Sequence, residues 1–150
     1  MSTVGMHFLL IILSCNYCLA DSGQSEKIQG NEDIYCPSTN FFEFYDAFME
    51  NEEIQRRFTK VPLEHLFLKE DASVDDSVPV IHMLKKDEIR FPVTYNKAEM
   101  NRVCVYMHVN EYSPRRAVVI NKGLDSGIRT ELIFINYGCW VLVGLENWSM

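Results

Sequence analysis

Apolar positions in residues 40–67 recur with a helical period. Phe41, Phe44, Tyr45 and Phe48 fall at i, i+3, i+4 and i+7, and Phe42 and Met49 widen the stripe. That spacing predicts a helix with one apolar face over residues 41–50. Asn40 and Glu43 read as a capping box at its start. Asn51 reads as a second N-cap. Behind it Glu52 and Glu53 occupy a first turn and Arg56, Arg57 and Lys60 a last one, the favourable sense for the helix dipole. Glu52–Arg56 and Glu53–Arg57 are i, i+4 pairs, and Ile54 and Phe58 supply the buried side. Pro62 is expected to end this helix, because it lacks an N–H and biases Val61 away from helical backbone. Leu63, Leu66 and Phe67 are expected to form another short helical turn.

Residues 69–77, KEDASVDDS, read as an acidic, solvated loop. They lack the spacing and the central glycine of a calcium-binding loop. From residue 78 the pattern changes to β. Residues 78–84 form a candidate strand that Pro79 marks as edge-like, and residues 88–94 a shorter one. Residues 95–102 read as a turn of helix or a loop. Four further runs follow, at 103–109, 116–121, 129–136 and 139–145. Short links with glycine or proline between them predict hairpins and an antiparallel meander.

The last two runs are apolar on both sides. Leu132 and Phe134 oppose Ile133 and Ile135; Trp140 and Leu142 oppose Cys139, Val141, Val143 and Leu145. A sheet covered on one side only should alternate apolar and polar. One helix layer covers one face, so the other is expected to bind something. Ile133, Ile135, Val141 and Val143 are the candidates for that binding face.

Composition narrows the classes. The 150 residues are 47% hydrophobic and 23% charged, which predicts one folded domain. The net charge of −7, with only scattered basic pairs, argues against nucleic acid as a partner. Residues 8–13 are an unbroken apolar run, too short for a transmembrane span. Cys18, Leu19 and Ala20 then precede a polar stretch, as at a secretory cleavage site. Residues 1–20 are thus expected to be a signal peptide, 21–39 a flexible leader and 40–150 one α+β domain, in a periplasmic or extracellular protein. A competing reading makes Cys15 the lipid-anchored cysteine of a lipoprotein. Cys36, Cys104 and Cys139 remain after Ala20. They are either one disulfide, with Cys36 paired to Cys104 or Cys139, and one spare thiol, or three buried thiols.

The layout resembles a known fold. Three features carry the likeness: the F-x-x-F-x-x-x-F helix, the segment from Ile54-Gln55 to Pro62-Leu63, and residues 140–149, W-V-L-V-G-L-E-N-W-S. Together they are similar to the NTF2-like (cystatin-like) fold, over about residues 41–150. More narrowly they resemble an exported bacterial family known as a domain of unknown function, DUF4348. The resemblance implies helices lying across a curved antiparallel sheet to form a cone. Such cones serve as enzyme pockets, ligand pockets, dimerisation platforms or toxin-immunity surfaces, and fold alone does not choose among them.

No chemical motif decides the matter. His65, His82 and His108 have no metal-ligand spacing. His82 shares strand parity with Val78, Val80 and Leu84, and His108 shares it with Cys104 and Tyr106. His82, Tyr106 and His108 are therefore the pocket candidates if the cone holds a ligand. No nucleophile elbow, phosphate loop or catalytic-cysteine signature is present. The sequence predicts no metal, cofactor or catalytic residue. It favours an exported binding protein with a protein partner or a second copy of itself, a toxin-immunity protein being one version. The alternative is a small-molecule binder, hydrolase or isomerase that uses the cone. Polar residues converging inside the cone would favour that alternative.

Overall fold

The computed structural model describes residues 35–71 and 76–149. The expected signal peptide, the Cys15 lipidation site and most of the leader lie outside those residues. Helix α1 spans Phe41–Glu50. The Asn40 side-chain oxygen accepts from the backbone N–H of Phe42 at 2.9 Å and of Glu43 at 3.3 Å. Glu43 does not close a capping box; its carboxylate accepts from the Ser38 hydroxyl at 2.8 Å. Helix α2, Glu52–Arg57, is capped by Asn51 in the same manner, and its Glu52–Arg56 ion pair forms.

Six strands follow: β1 Thr59–Asp71, β2 Asp76–Leu84, β3 Val105–Tyr112, β4 Arg116–Gly123, β5 Arg129–Asn136 and β6 Trp140–Asn147. Helix α3, Lys97–Arg102, lies between β2 and β3 and carries a full capping box of Asn96 and Glu99. The order across the sheet is β2-β1-β6-β5-β4-β3. Strands β3 to β6 form the expected antiparallel meander, and β2, with its Pro79, is an edge strand. Strand β1, however, runs parallel to β6. The fold class is α+β, with helices against a curved sheet, but the sheet is mixed rather than antiparallel.

The helical turn expected at Leu63, Leu66 and Phe67 is instead the middle of β1. Short apolar runs fit either period, and Leu63, His65 and Phe67 also alternate with period two. Pro62, after a cis peptide bond, sits where the pairing to β6 shifts between Thr59 and Glu64. A residue without an N–H is tolerated at such an irregularity. The hairpin of β1 and β2 also takes in much of the expected acidic loop, since it pairs as far as Asp71 and Asp76. Residues 88–94 form no strand. The backbone N–H of Val93 is taken by the buried Gln55 Oε1 at 2.7 Å, so a side chain satisfies the donor that a sheet would have.

The core lies between α1 and the inner face of β4, β5 and β6. Phe41, Phe44 and Phe48 are fully buried, as are Phe134, Leu132 and Leu142. Phe134 is the centre, with ring centroids 5.2 Å from Phe48, 5.6 Å from Phe41 and 5.8 Å from Tyr45. Each such side chain contributes about 1.5–3 kcal/mol by leaving water. The segment before α1 is tied to the same region. Cys36 is bonded to Cys139, one of the two partners expected, with Cα atoms 5.8 Å apart, and the Trp140 indole N–H donates to the Thr39 carbonyl at 3.0 Å. Cys104 is free and exposed.

A β-bulge re-aims the end of β6. Leu142 pairs with Phe134 and Gly144 with Ile133, which leaves Val143 as the extra residue. Leu145 therefore pairs with Leu132 and packs against the core. Simple alternation had put Leu145 on the opposite face, with Val141.

Candidate functional site

Register turns three strand patterns into three rows on the inner face. The first row is Ala117, Phe134 and Leu142, and the second is Val119, Leu132, Leu145 and His65. Both are apolar until β1. The third is Asn121, Thr130 and Asn147, polar on three neighbouring strands. The aromatic face of α1 packs on Phe134 and Trp140, in and beside the first row. The third row has a different cover, formed by residues 92–95 and α3. A cavity of about 260 Å³ lies there. The third row lines it together with His65 and Leu145, and Pro92, Val93, Thr94, Tyr95 and Glu99 complete the wall.

One hydrogen-bond chain organises this cavity. Tyr45 Oη lies 3.4 Å from Thr94 Oγ1, and Asn121 Nδ2 donates to the same Thr94 oxygen at 3.0 Å. Burial pushes the Tyr45 hydroxyl up to about 12, against the opposing effect of its bond to Thr94. Asn121 is 1% exposed, yet its Oδ1 has no hydrogen-bond partner among the described residues. A buried carbonyl left unpaired costs about 1–3 kcal/mol, so such an atom calls for an explanation. Asn147 Oδ1, by contrast, is used by the Ser149 backbone N–H at 3.1 Å.

The electrostatics favour neutral or positive groups. Burial, and then the nearby His82, lower the proton affinity of His65, so its ring is uncharged at neutral pH. Among the described residues the only carboxylate in the wall is that of Glu99, held in place by the Asn96 backbone N–H at 3.2 Å. No Lys or Arg among the described residues lines the cavity. A second cavity, of about 240 Å³, shares Pro92, Thr94 and Glu99 with the first and adds Glu50 and Glu52.

The sequence candidates fall in different places. His82 is opposite His65 in the β1–β2 ladder, on the inner face but outside the cavity wall, and lies 3.6 Å from Glu88. Tyr106 and His108 alternate with the core residues Val105, Met107 and Val109 and are exposed on the outer face, away from the cavity. Parity had grouped them correctly with each other but could not say which group faced inward. Ile133, Ile135 and Val141 lie on the outer face, half-buried, beside the buried Val118 and Ile120. Val143 is the bulge residue next to them. Sequence reasoning missed Asn121, Thr130 and Asn147. Their signal was a polar residue at the apolar parity of each of three strands, visible only once register aligned them. Among the described residues, no three His, Cys, Asp or Glu side chains come together as a metal site requires.

No family model and no curated protein matches the chain. Among solved structures it is similar to an NTF2-like protein from Bacteroides fragilis NCTC 9343, with 17% sequence identity and a TM-score of 0.49. The likeness covers 74% of this chain and 47% of that one, so this chain spans about half the length of that neighbour. Among the described residues no helix is long and apolar enough to cross a membrane. The Cys36–Cys139 bond points to a non-reducing compartment.

Proposed function

We propose that this chain is an exported binding protein that holds a small molecule in the inner-face cavity and performs no chemistry on it. The observation that carries this reading is Asn121, a buried amide with an unpaired oxygen in the wall of a cavity. Polar residues converge there, the feature expected of a cone that binds a ligand. A wholly apolar, sealed interior would have left the sheet face as the better site. Export is supported by the residue 8–20 pattern together with the disulfide, and kinship to DUF4348 by the apolar spacing quoted above. For the binding reading, protein from its native compartment is denatured and the released small molecules are read by mass spectrometry. A stoichiometric molecule lost from Asn121→Leu is the expected result. A molecule retained equally by the variant, or none in the wild type, counts against the cavity. For export, the intact mass is expected to begin at Asp21; a mass that includes Met1 sinks that part, and a diacylglyceryl adduct on Cys15 replaces it with a lipid anchor.

A second reading rests on a separate observation. Ile133, Ile135 and Val141 form an apolar stripe on the outer face, and on the edge strand Ile81 is 61% exposed. A second protein chain laid across that face would cover it. Sedimentation of Ile133→Lys against wild type tests this: loss of association with an unchanged melting curve supports it, and a strictly monomeric wild type with no partner removes it.

A further inference from the structure

Resting on the cavity reading, we infer that the ligand is a small neutral or cationic molecule that presents an N–H or O–H donor to Asn121 Oδ1, and that anions are rejected. The Asn121 amide turns its nitrogen towards Thr94. Its Nδ2 is committed to Thr94 Oγ1 at 3.0 Å, and the Thr94 hydroxyl is also engaged by Tyr45. The group without a partner among the described residues is thus the acceptor, and its complement is a donor. That oxygen is closed to solvent, so a donor reaches it only as the side chains around it shift, and pairing it then recovers a desolvation penalty already incurred on folding.

Charge points the same way. A carboxylate or phosphate entering this cavity would meet the Glu99 carboxylate and, among the described residues, no Lys or Arg. The adjoining cavity adds Glu50 and Glu52 to the same neighbourhood. His65 offers no compensating charge at neutral pH, because burial and His82 disfavour its protonation. An ammonium or a neutral amide or hydroxyl meets no such opposition, and near Glu99 an ammonium is attracted. Size sets the last limit. The volume of about 260 Å³ is at or below the small end of ligand pockets, and Val93, Pro92 and Leu145 give it an apolar side. The class is therefore a compact apolar body with one donor, such as a small amine, amide or alcohol.

Benzylamine, benzyl alcohol and benzoate share one apolar body and differ in the group that counts. Each is titrated into the full-length protein, and binding is read from NMR shifts of the Asn121 side-chain amide and of His65. Benzylamine and benzyl alcohol are expected to bind saturably, and benzoate at least about tenfold more weakly. Asn121→Leu is expected to weaken benzylamine by about tenfold, the loss of one buried hydrogen bond. Glu99→Gln keeps the capping box, since glutamine serves there as well, so it folds even if Asn121→Leu does not. It is expected to weaken benzylamine severalfold and to narrow the gap to benzoate. Benzoate binding in the cavity as tightly as benzylamine overturns the ligand class and leaves the cavity reading standing. Unchanged benzylamine affinity in both variants also overturns the class. No saturable shift at Asn121 or His65 with any of the three overturns the cavity reading with it.

Discussion

Opening the Cys36–Cys139 bond tests the tie between the segment before α1 and the sheet. The two cysteines are 103 residues apart in sequence. Closing a loop of about that length removes unfolded-state entropy worth about 4.7 kcal/mol at 25 °C on the chain-entropy account. A domain has only about 5–15 kcal/mol in total, so reduction should remove a large share of the stability. The native state also loses an anchor, since the Trp140 indole bonds to Thr39, three residues after Cys36. With a urea slope of about 2 kcal/mol per molar, the midpoint should fall by about 2 M. The measurement is equilibrium urea unfolding of the oxidised protein, the reduced protein and Cys36→Ser with Cys139→Ser. Reduced wild type and double variant are expected to coincide, because the remaining Cys104 is free in both. Coincidence of the oxidised and reduced curves would refute the reasoning, through either the bond or the loop-entropy account. A shift on adding reductant to the double variant would show that the effect came from elsewhere.

Three further outcomes follow from the packing and the buried titratable groups. Phe134→Ala should cost about 3–5 kcal/mol by urea unfolding, because its ring meets Phe41, Phe44, Tyr45 and Phe48; a cost below about 1 kcal/mol would place the aromatic cluster outside the core. Tyr45 has its folded-state value raised from 10.0 to about 12. Its contribution is thus intact below pH 10 and is lost as pH rises towards 12. That loss is about 3 kcal/mol, and it should be absent from the alkaline unfolding curve of Tyr45→Phe. His65 has its folded-state value lowered from 6.5, so below that pH the unfolded chain takes up the proton first and stability falls. His65→Gln should flatten the decline between pH 6.5 and the folded-state value, and an identical acid limb in the variant would remove His65 as its source.

Local chemistry determined a good part of this protein. The period of Phe41, Phe44, Tyr45 and Phe48 and the caps at Asn40 and Asn51 are set by residues within one or two turns of each other, so α1 and the start of α2 were legible; α2 ends at Arg57, before the Lys60 and Pro62 expected to close it, because Thr59 onward pairs as β1. The short apolar β-type runs over 116–121 and 129–136 and the short links between the runs made the meander legible too, and proline placed β2 at an edge. Local pattern does not decide a segment whose structure depends on distant partners. Leu63 and Phe67 satisfy either period, and only pairing to β2 on one side and β6 on the other made residues 63–67 a strand. Parallel pairing of β1 to β6 leaves no local mark, because its partners lie some eighty residues apart. The candidate site was the least legible part. Asn121, Thr130 and Asn147 are ordinary polar residues in three strands until register brings them into one row, and the bulge at Val143 sets which β6 residues join it. Whether Asn121 Oδ1 finds a partner depends on Thr94, brought there by a link that Gln55 pins. Periodicity is a property of neighbours in the chain, whereas register, burial and hydrogen-bond satisfaction are properties of neighbours in space. The sequence alone therefore determined the helices, the meander and the aromatic core face, and only the tertiary structure decided which polar groups were buried together and which was left unpaired.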